Sequence, residues 1–393
     1  MRNVVIVSAA RTPIGTMGGE LKDVHAADLG AIAISSALER GGVDHNQVDE
    51  VILGCVGQVA ENAFISRMSA LRAGLPTSSN AFTVNRLCGS GLQAINNAAQ
   101  QIQTNQADVV VAGGTENMDQ LPYYVRKGRY GYQMGHGELE DGLLTALTDP
   151  FGQYHMGVTA EKVAERYGIS RDDQDNFSMR SQQNAINAID EGYFNNQIVP
   201  VEITDRKGNI KTINTDEHPR RGVSVEKLGK MRPVFQEGGT VTPGNSSGVN
   251  NGAAALVVMA EEKAEELGLT PMAYICEQSV AGVDPEVMGY APTPAVNKIV
   301  EKSDILLNDI DLMELNEAFA AQSVAVLNDL DIAEEKVNVN GGAIALGHPI
   351  GASGAIITVK LLHELKRRNQ SRGISAMCIG GGQGIATLFE INQ

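Results

Sequence analysis

Four short stretches carry residues that can do chemistry. In Asn85-Arg-Leu-Cys-Gly-Ser-Gly-Leu-Gln-Ala94 the thiol of Cys88 stands where extended character over Ala81–Val84 gives way to a helical pattern over Leu92–Thr104. The positive end of a helix favours a thiolate, and small neighbours leave backbone N–H groups free to receive an oxyanion. The other reading of Cys88 is a small buried hydrophobe, and local context alone leaves both open. In the glycine-rich run Asn340–Gly354, His348 has little bulk around it and can act as a base near neutral pH. Cys378 ends an apolar strand pattern and meets the cluster Gly380-Gly-Gly-Gln-Gly384, which offers further unhindered N–H donors. In Glu314-Leu-Asn-Glu-Ala-Phe319, Asn316 can hold a water or a carbonyl and Glu317 can orient a neighbour.

These residues need elements to carry them. Val4–Ser8, Glu50–Gly54 and Asp108–Ala112 read as strands, and Ala26–Arg40, Ile65–Ala73 and Leu92–Thr104 as helices. Alternation of this kind predicts an α/β layered fold with a buried mixed sheet. From about Asp119 the texture turns Tyr-, Gly- and charge-rich, with one clear helix over Arg171–Glu191 behind Ser170 as N-cap. Strand–helix texture resumes at Ala253–Met259. The expected organisation is an N-terminal α/β half of 1–118 plus 246–268, an inserted loop domain of 119–245, and a C-terminal α/β half of 269–393.

The two halves resemble each other. Val48–Gly54 aligns with Ile310–Asn316, Cys88–Gly91 with Gly351–Gly354, and Val110–Gly114 with Met377–Gly381, at offsets of 262, 263 and 267. Three pairs in order predict a duplication, and duplicated halves that face one another place a site at their junction. Gly89-x-Gly91-x-x-Ala94 also matches a dinucleotide fingerprint. The acidic residue such a site needs after the next strand is missing, since Asp108 stands before its strand.

Taken together, Asn85–Ala94, Asn316–Phe319, Gly347-His-Pro-Ile-Gly351, Cys378–Gly384, Thr242–Ala255 and Tyr154-His-Met-Gly157 closely resemble the thiolase family over nearly the whole chain. The resemblance implies a duplicated five-layer αβαβα fold with the loop domain inserted in its first half. It also implies acyl transfer between coenzyme A thioesters: condensation of two acetyl-CoA to acetoacetyl-CoA plus CoA, and the reverse thiolysis. Carried onto this chain, Cys88 is the acylated nucleophile, His348 its activator, Cys378 the acid/base for an α-proton, and Asn316 the holder of a water in one oxyanion site. The N–H groups of Cys88 and Gly380 form the other. His155, Met156 and Met288 resemble the short-chain branch; Arg220, Ser247, Ala318 and Phe319 fall where the family meets substrate and coenzyme A. Two segments depart from the family pattern: Gly57–Arg67 is shorter, and Tyr290-Ala-Pro-Thr-Pro is less glycine-rich. The competing readings are a broader-chain 3-ketoacyl-CoA thiolase, a ketoacyl synthase-like condensing enzyme, and a non-catalytic acyl-CoA or lipid binder. The family implies a homodimer or homotetramer and no permanently bound cofactor.

Composition sets the limits. With 31 Lys+Arg against 47 Asp+Glu in 393 residues, the net charge of −16 argues against nucleic-acid or anionic-membrane binding. No apolar run approaches a membrane span, and the N-terminal run is too short for a signal peptide, so a cytoplasmic protein is expected. Cys55, Cys88, Cys276 and Cys378 show no metal-ligand spacing and default to free thiols in a reducing compartment. Coenzyme A is a polyanion, so local compensation is needed. Arg220, Arg221, Lys227, Lys230 and Arg232 supply it against the single Glu226.

Overall fold

The computed structural model describes residues 1–204 and 207–391. Nine strands of four or more residues form one continuous mixed sheet: β1 (Val4–Arg11), β2 (Glu50–Gly54), β3 (Asn80–Val84), β4 (Val109–Asn117), β5 (Asn250–Ala260), β6 (Ala273–Gly282), β7 (Leu312–Leu315), β8 (Arg372–Ile379) and β9 (Gln383–Glu390). Their order is β3-β2-β4-β5-β1-β6-β9-β8-β7. Among the described residues seven helices reach eleven residues: α1 (Ala26–Gly41), α2 (Ser90–Gln103), α3 (Met156–Tyr167), α4 (Arg171–Asp190), α5 (Pro292–Ser303), α6 (Ala320–Leu330) and α7 (Ser353–Arg368).

The sheet is two similar halves joined where β1 meets β6 through Val5 with Tyr274 and Ile6 with Ala273. In each half a parallel pair, β2 with β4 or β7 with β8, is followed by an antiparallel partner, β5 or β9. The predicted duplication is present, with one correction. Glu50 pairs with Val110 and its equivalent Leu312 pairs with Gly373. Val110 therefore corresponds to Gly373, four residues before Met377. The two Gly-Gly pairs misled the alignment. Gly113 and Gly114 lie inside β4, whereas Gly381 and Gly382, with φ of 81° and 82°, make the hairpin between β8 and β9.

Between the half-sheets lie α2 and α7. Leu92, Ile95, Ile356, Val359 and Leu361 pack with Val110, Leu256, Met377 and Phe389 into the central core. A separate apolar cluster lies under α1 on one outer face, and another under α5 and α6 on the other. Helix α7 is buried along most of its length, and its two buried charges are paired, Lys360 with Glu314 and Glu364 with Arg367 and Arg368. The two central helices touch at their first turns. A Cβ on Gly91 would sit 2.7 Å from the Ala355 nitrogen, and one on Gly354 would strike Leu92. The close approach draws the turn holding Cys88 against the loop holding His348.

The stretch between β4 and β5 is more ordered than its composition predicts. Besides α4, it contains α3, whose N-cap is His155; Nδ1 accepts from the Gly157 N–H at 3.0 Å. Histidine is an uncommon cap, which is why the helix start is obscure in sequence. No helix among the described residues is long and apolar enough to cross a membrane.

Candidate active site

The turn before α2 is built to expose a side chain. Leu87 has a left-handed φ of 47°, a conformation a branched residue adopts only when its surroundings impose it. Here Ser90 imposes it: its hydroxyl donates to the Leu87 carbonyl at 2.6 Å and accepts from the Arg86 N–H at 2.9 Å. The Leu87 N–H in turn donates to Asn85 Oδ1 at 3.0 Å. Cys88 follows, half-buried, one residue ahead of the Gly89 N-cap.

The backbone N–H groups of Gly380 and of Cys88 itself lie close enough to favour the Cys88 thiolate. They oppose the effect of burial, which nonetheless pushes the thiol up to about 11. Burial pushes Cys378 higher still, and the neighbouring Cys88 adds to it. Cys378 lies one residue before the end of β8, so the β8–β9 hairpin delivers both the second thiol and the Gly380 N–H to one place.

His348 is buried, and burial pulls its imidazole down to about 4. Its Nδ1 lies 2.6 Å from Ser353 Oγ, whose own proton goes to the Pro349 carbonyl at 2.9 Å. Ser353 must therefore accept from Nδ1–H, which leaves the Nε2 lone pair without a partner among the described residues and free to take a proton. At neutral pH the site holds a thiol and a neutral imidazole rather than an ion pair, because burial penalises both charged forms. Asn316 is also buried, and neither Oδ1 nor Nδ2 has a partner among the described residues. A buried carboxamide left open in this way is suited to a polar guest.

The thiol opens onto a cavity of about 430 Å³ lined by Cys88, His348 and Gly380. His155, Met156, Arg220, Ser247, Met288, Ala318 and Phe319 line it too, so the structure brings all these sequence candidates together. Cys378 and Asn316 lie behind that lining, with Cys378 in an apolar cluster with Met156, Met288 and Phe319. His155 stacks on Phe235 with ring centroids 4.7 Å apart, and Phe235 meets Phe319 edge-on.

Of the predicted basic segment, Arg221 pairs with Asp190, Lys230 with Glu226, and Lys227 with the Gly222 carbonyl. Arg220, at the cavity, and Arg232 have no carboxylate partner among the described residues. Sequence reasoning missed Phe235 and His218 as lining residues, and His218 is held neutral by burial, at about 4. It missed Glu116 as well, whose carboxylate binds the backbone on both sides of the junction. Cys55 donates to Glu116 at 3.4 Å, and Cys276 is exposed near Glu390.

Fold and cavity together define a class: a duplicated α/β protein whose buried site sets a thiol, a neutral imidazole and converging N–H groups around one point. Such a site can accept an acyl group on sulfur and stabilise the oxyanion that forms. The model of the thiolase N-terminal domain matches residues 4–262, and that of the thiolase C-terminal domain matches 269–391. The chain belongs to the thiolase family. It is 51% identical to the acetyl-CoA acetyltransferase of Syntrophomonas wolfei, covering 99% of both chains. It is also 51% identical to a probable acetyl-CoA acyltransferase of Staphylococcus aureus over the same shares. The crystal structure of the Bacillus anthracis acetyl-CoA acetyltransferase superposes with a TM-score of 0.98 at 49% identity, covering 100% of this chain and 99% of the other. A human mitochondrial 3-ketoacyl-CoA thiolase in complex with CoA gives 0.96 at 45% identity, covering 100% and 98%.

Proposed function

We propose that the protein is an acetyl-CoA C-acetyltransferase that condenses two acetyl-CoA to acetoacetyl-CoA and CoA, and runs the reverse thiolysis, through acetyl-Cys88. The observation that carries this reading is one cavity lined by Cys88, Gly380 and His348, with the His348 Nε2 left without a partner among the described residues. Cys88 Sγ attacks the thioester carbonyl and its proton passes to His348. The departing coenzyme A thiolate takes its proton from Cys378. The Cys378 thiolate then removes an α-proton from the second acetyl-CoA, and the carbanion attacks acetyl-Cys88. Cys88 leaves as thiolate and recovers its proton from His348. The imidazolium and a water on Asn316 stabilise the enolate oxygen, and the N–H groups of Cys88 and Gly380 hold the oxyanion on the acylated sulfur. Every proton and electron pair is accounted for, so the reaction needs coenzyme A thioesters as substrates and no resident cofactor.

Residues 119–245 form the coenzyme A-binding insert in this reading, between an N-terminal half of 1–118 with 246–268 and a C-terminal half of 269–393. Arg220 and Ser247 meet coenzyme A; His155, Met156, Met288, Ala318 and Phe319 close the acyl end. Self-association into a homodimer or homotetramer is supported by the terminal strand β3, which presents an unpaired edge with Phe82 and the nearby Phe64 exposed. Free thiols that must stay reduced support a cytoplasmic site of action. Mass spectrometry after incubation with acetoacetyl-CoA should find one acetyl group, on Cys88; turnover without it would sink the assignment. The alternative, a broader-chain 3-ketoacyl-CoA thiolase, has the match to the human enzyme in its favour. A chain-length series of 3-ketoacyl-CoA substrates separates them: a steep fall beyond four carbons supports the short-chain reading.

A further inference from the structure

The glycine-rich loop that carries His348 is anchored by the buried Ile344, Leu346 and Ile350, and its backbone is also tied down at three points. Upstream, the Ile344 N–H donates to Glu317 Oε2 at 3.2 Å. The Gly342 N–H donates to Ser181 Oγ at 3.1 Å, and that hydroxyl donates to the same Glu317 oxygen at 2.6 Å. At the centre, the N–H of His348 itself donates to Asn250 Oδ1 at 2.9 Å, while Asn250 Nδ2 is fixed on the Gly15 carbonyl at 2.9 Å. Downstream, the Gly351 N–H donates to Glu116 Oε2 at 2.9 Å, alongside the N–H groups of Val56 and Gly57.

Each of the three buried side chains also fills the space of a missing Cβ. A Cβ on Gly342 would strike the Glu317 carboxyl, one on Gly347 the Asn250 carboxamide, and one on Gly351 would lie 2.5 Å from Glu116 Oε2. Three of the loop's glycines, Gly342, Gly347 and Gly351, are thus each paired with one of the side chains that hold it. Those side chains come from three different strand ends: after β7, at the start of β5 and near the end of β4.

We propose that Glu317, Asn250 and Glu116 form a three-point clamp of positioning residues that sets where His348 Nε2 stands against Cys88. None of the three needs to touch substrate; they act through the loop backbone. The proposal rests on His348 being the base for Cys88, and the test separates the two. Glu317 accepts from three donors, Ser181, Asn338 and Ile344, so a carboxamide at 317 must turn its own NH₂ group toward one of them. A displacement of about 1 Å in a reacting group costs on the order of a hundredfold in rate.

The experiment measures carbamidomethylation of Cys88 by iodoacetamide in the full chain, followed by peptide mass spectrometry at pH 7 and pH 10. It needs no coenzyme A chemistry. His348→Ala, Glu317→Gln and Asn250→Ala are each expected to be slower at pH 7 by about ten- to a hundredfold. The gap should narrow at pH 10, where the thiol begins to ionise without help. If His348→Ala reacts at the wild-type rate, the base assignment fails and the clamp with it. If His348→Ala slows while a folded Glu317→Gln or Asn250→Ala does not, the base stands and the clamp is overturned. A slowing of equal size at both pH values would also overturn it, since that marks altered access rather than a displaced base. Should Glu317→Gln not fold, Asn250→Ala decides, because it turns no NH₂ group toward a buried donor.

Discussion

Ser353 Oγ accepts from His348 Nδ1 at 2.6 Å because its own proton is committed to the Pro349 carbonyl. One hydroxyl at the first position of α7 thereby selects the tautomer that presents a basic Nε2 to Cys88. Replacing Ser353 by Ala removes the selection while leaving the loop's backbone bonds in place. A hydrogen bond of this kind contributes about 1–1.5 kcal/mol, so kcat for thiolysis should fall about tenfold. KM for coenzyme A should hold, since Ser353 does not line the cavity. Steady-state kinetics with acetoacetyl-CoA and coenzyme A check the split.

Cys378 sits in an apolar cluster, and burial and Cys88 together hold it protonated. A thiol pushed so far up is a poor nucleophile at rest and a strong base once it has lost its proton. Cys378→Ala should therefore still take an acetyl group on Cys88, with condensation lost by a factor of about a thousand, the scale of one general acid–base group. Exchange of the acetyl-CoA α-protons in heavy water is the direct readout; exchange at the wild-type rate would remove Cys378 from the role of base.

The reactive residues were legible in the sequence because chemistry restricts type: a Cys at a helix entry, a His among glycines, a second Cys before glycines. What holds them was not. Glu116 meets Gly351 across 235 residues and Asn250 meets His348 across 98, and neither has a local pattern that marks it. The strained Leu87 was invisible for a similar reason, since the Ser90 hydroxyl that stabilises it looks like any residue of a first helical turn. The strands read well where both faces are apolar, and Glu50–Gly54 matches to the residue. The register of the third duplicated pair did not, because a Gly-Gly pair serves close packing in one half and a hairpin in the other.

His218, His348 and His363 are each held at about 4 by burial, below the ordinary value near 6.5. The sign follows directly. Above pH 6.5 all three are neutral in both states and contribute no pH dependence. Between about 6.5 and 4 the unfolded chain binds protons that the folded chain refuses, so stability falls as the pH falls. His363 is the cleanest probe, because its Nε2 faces the Ala9 carbonyl, away from the cavity residues. His363→Gln keeps a donor there and removes one proton from the balance. Its urea-unfolding free energy should decline less steeply from pH 6.5 to 4, by about 1.4 kcal/mol per pH unit within that window. An unchanged slope would mean that His363 titrates alike in both states.

Lys360 and Glu314 form an ion pair at 2.7 Å with side chains 3% and 4% exposed, and Lys360 also donates to the Gly341 carbonyl at 2.6 Å. Even with that partner, burial pushes Glu314 up to about 7, with Glu317 and Glu364 adding to the effect. A carboxyl raised in the folded state loses stability as the pH rises from its unfolded value near 4.3 to its folded one. Lys360→Met removes the compensating charge, so Glu314 must stay protonated to remain buried and the loss continues past pH 7. The variant should be destabilised by about 3–5 kcal/mol near neutrality, the usual cost of stranding one member of a buried pair. Its deficit against wild type should widen between pH 5 and pH 8. Adding Glu314→Gln to Lys360→Met should recover most of the loss and flatten the pH dependence, because neither position then carries a charge to desolvate. Denaturant melts of the three proteins at both pH values test this, and a deficit independent of pH would show that lost packing at 360, rather than the stranded carboxylate, sets the cost.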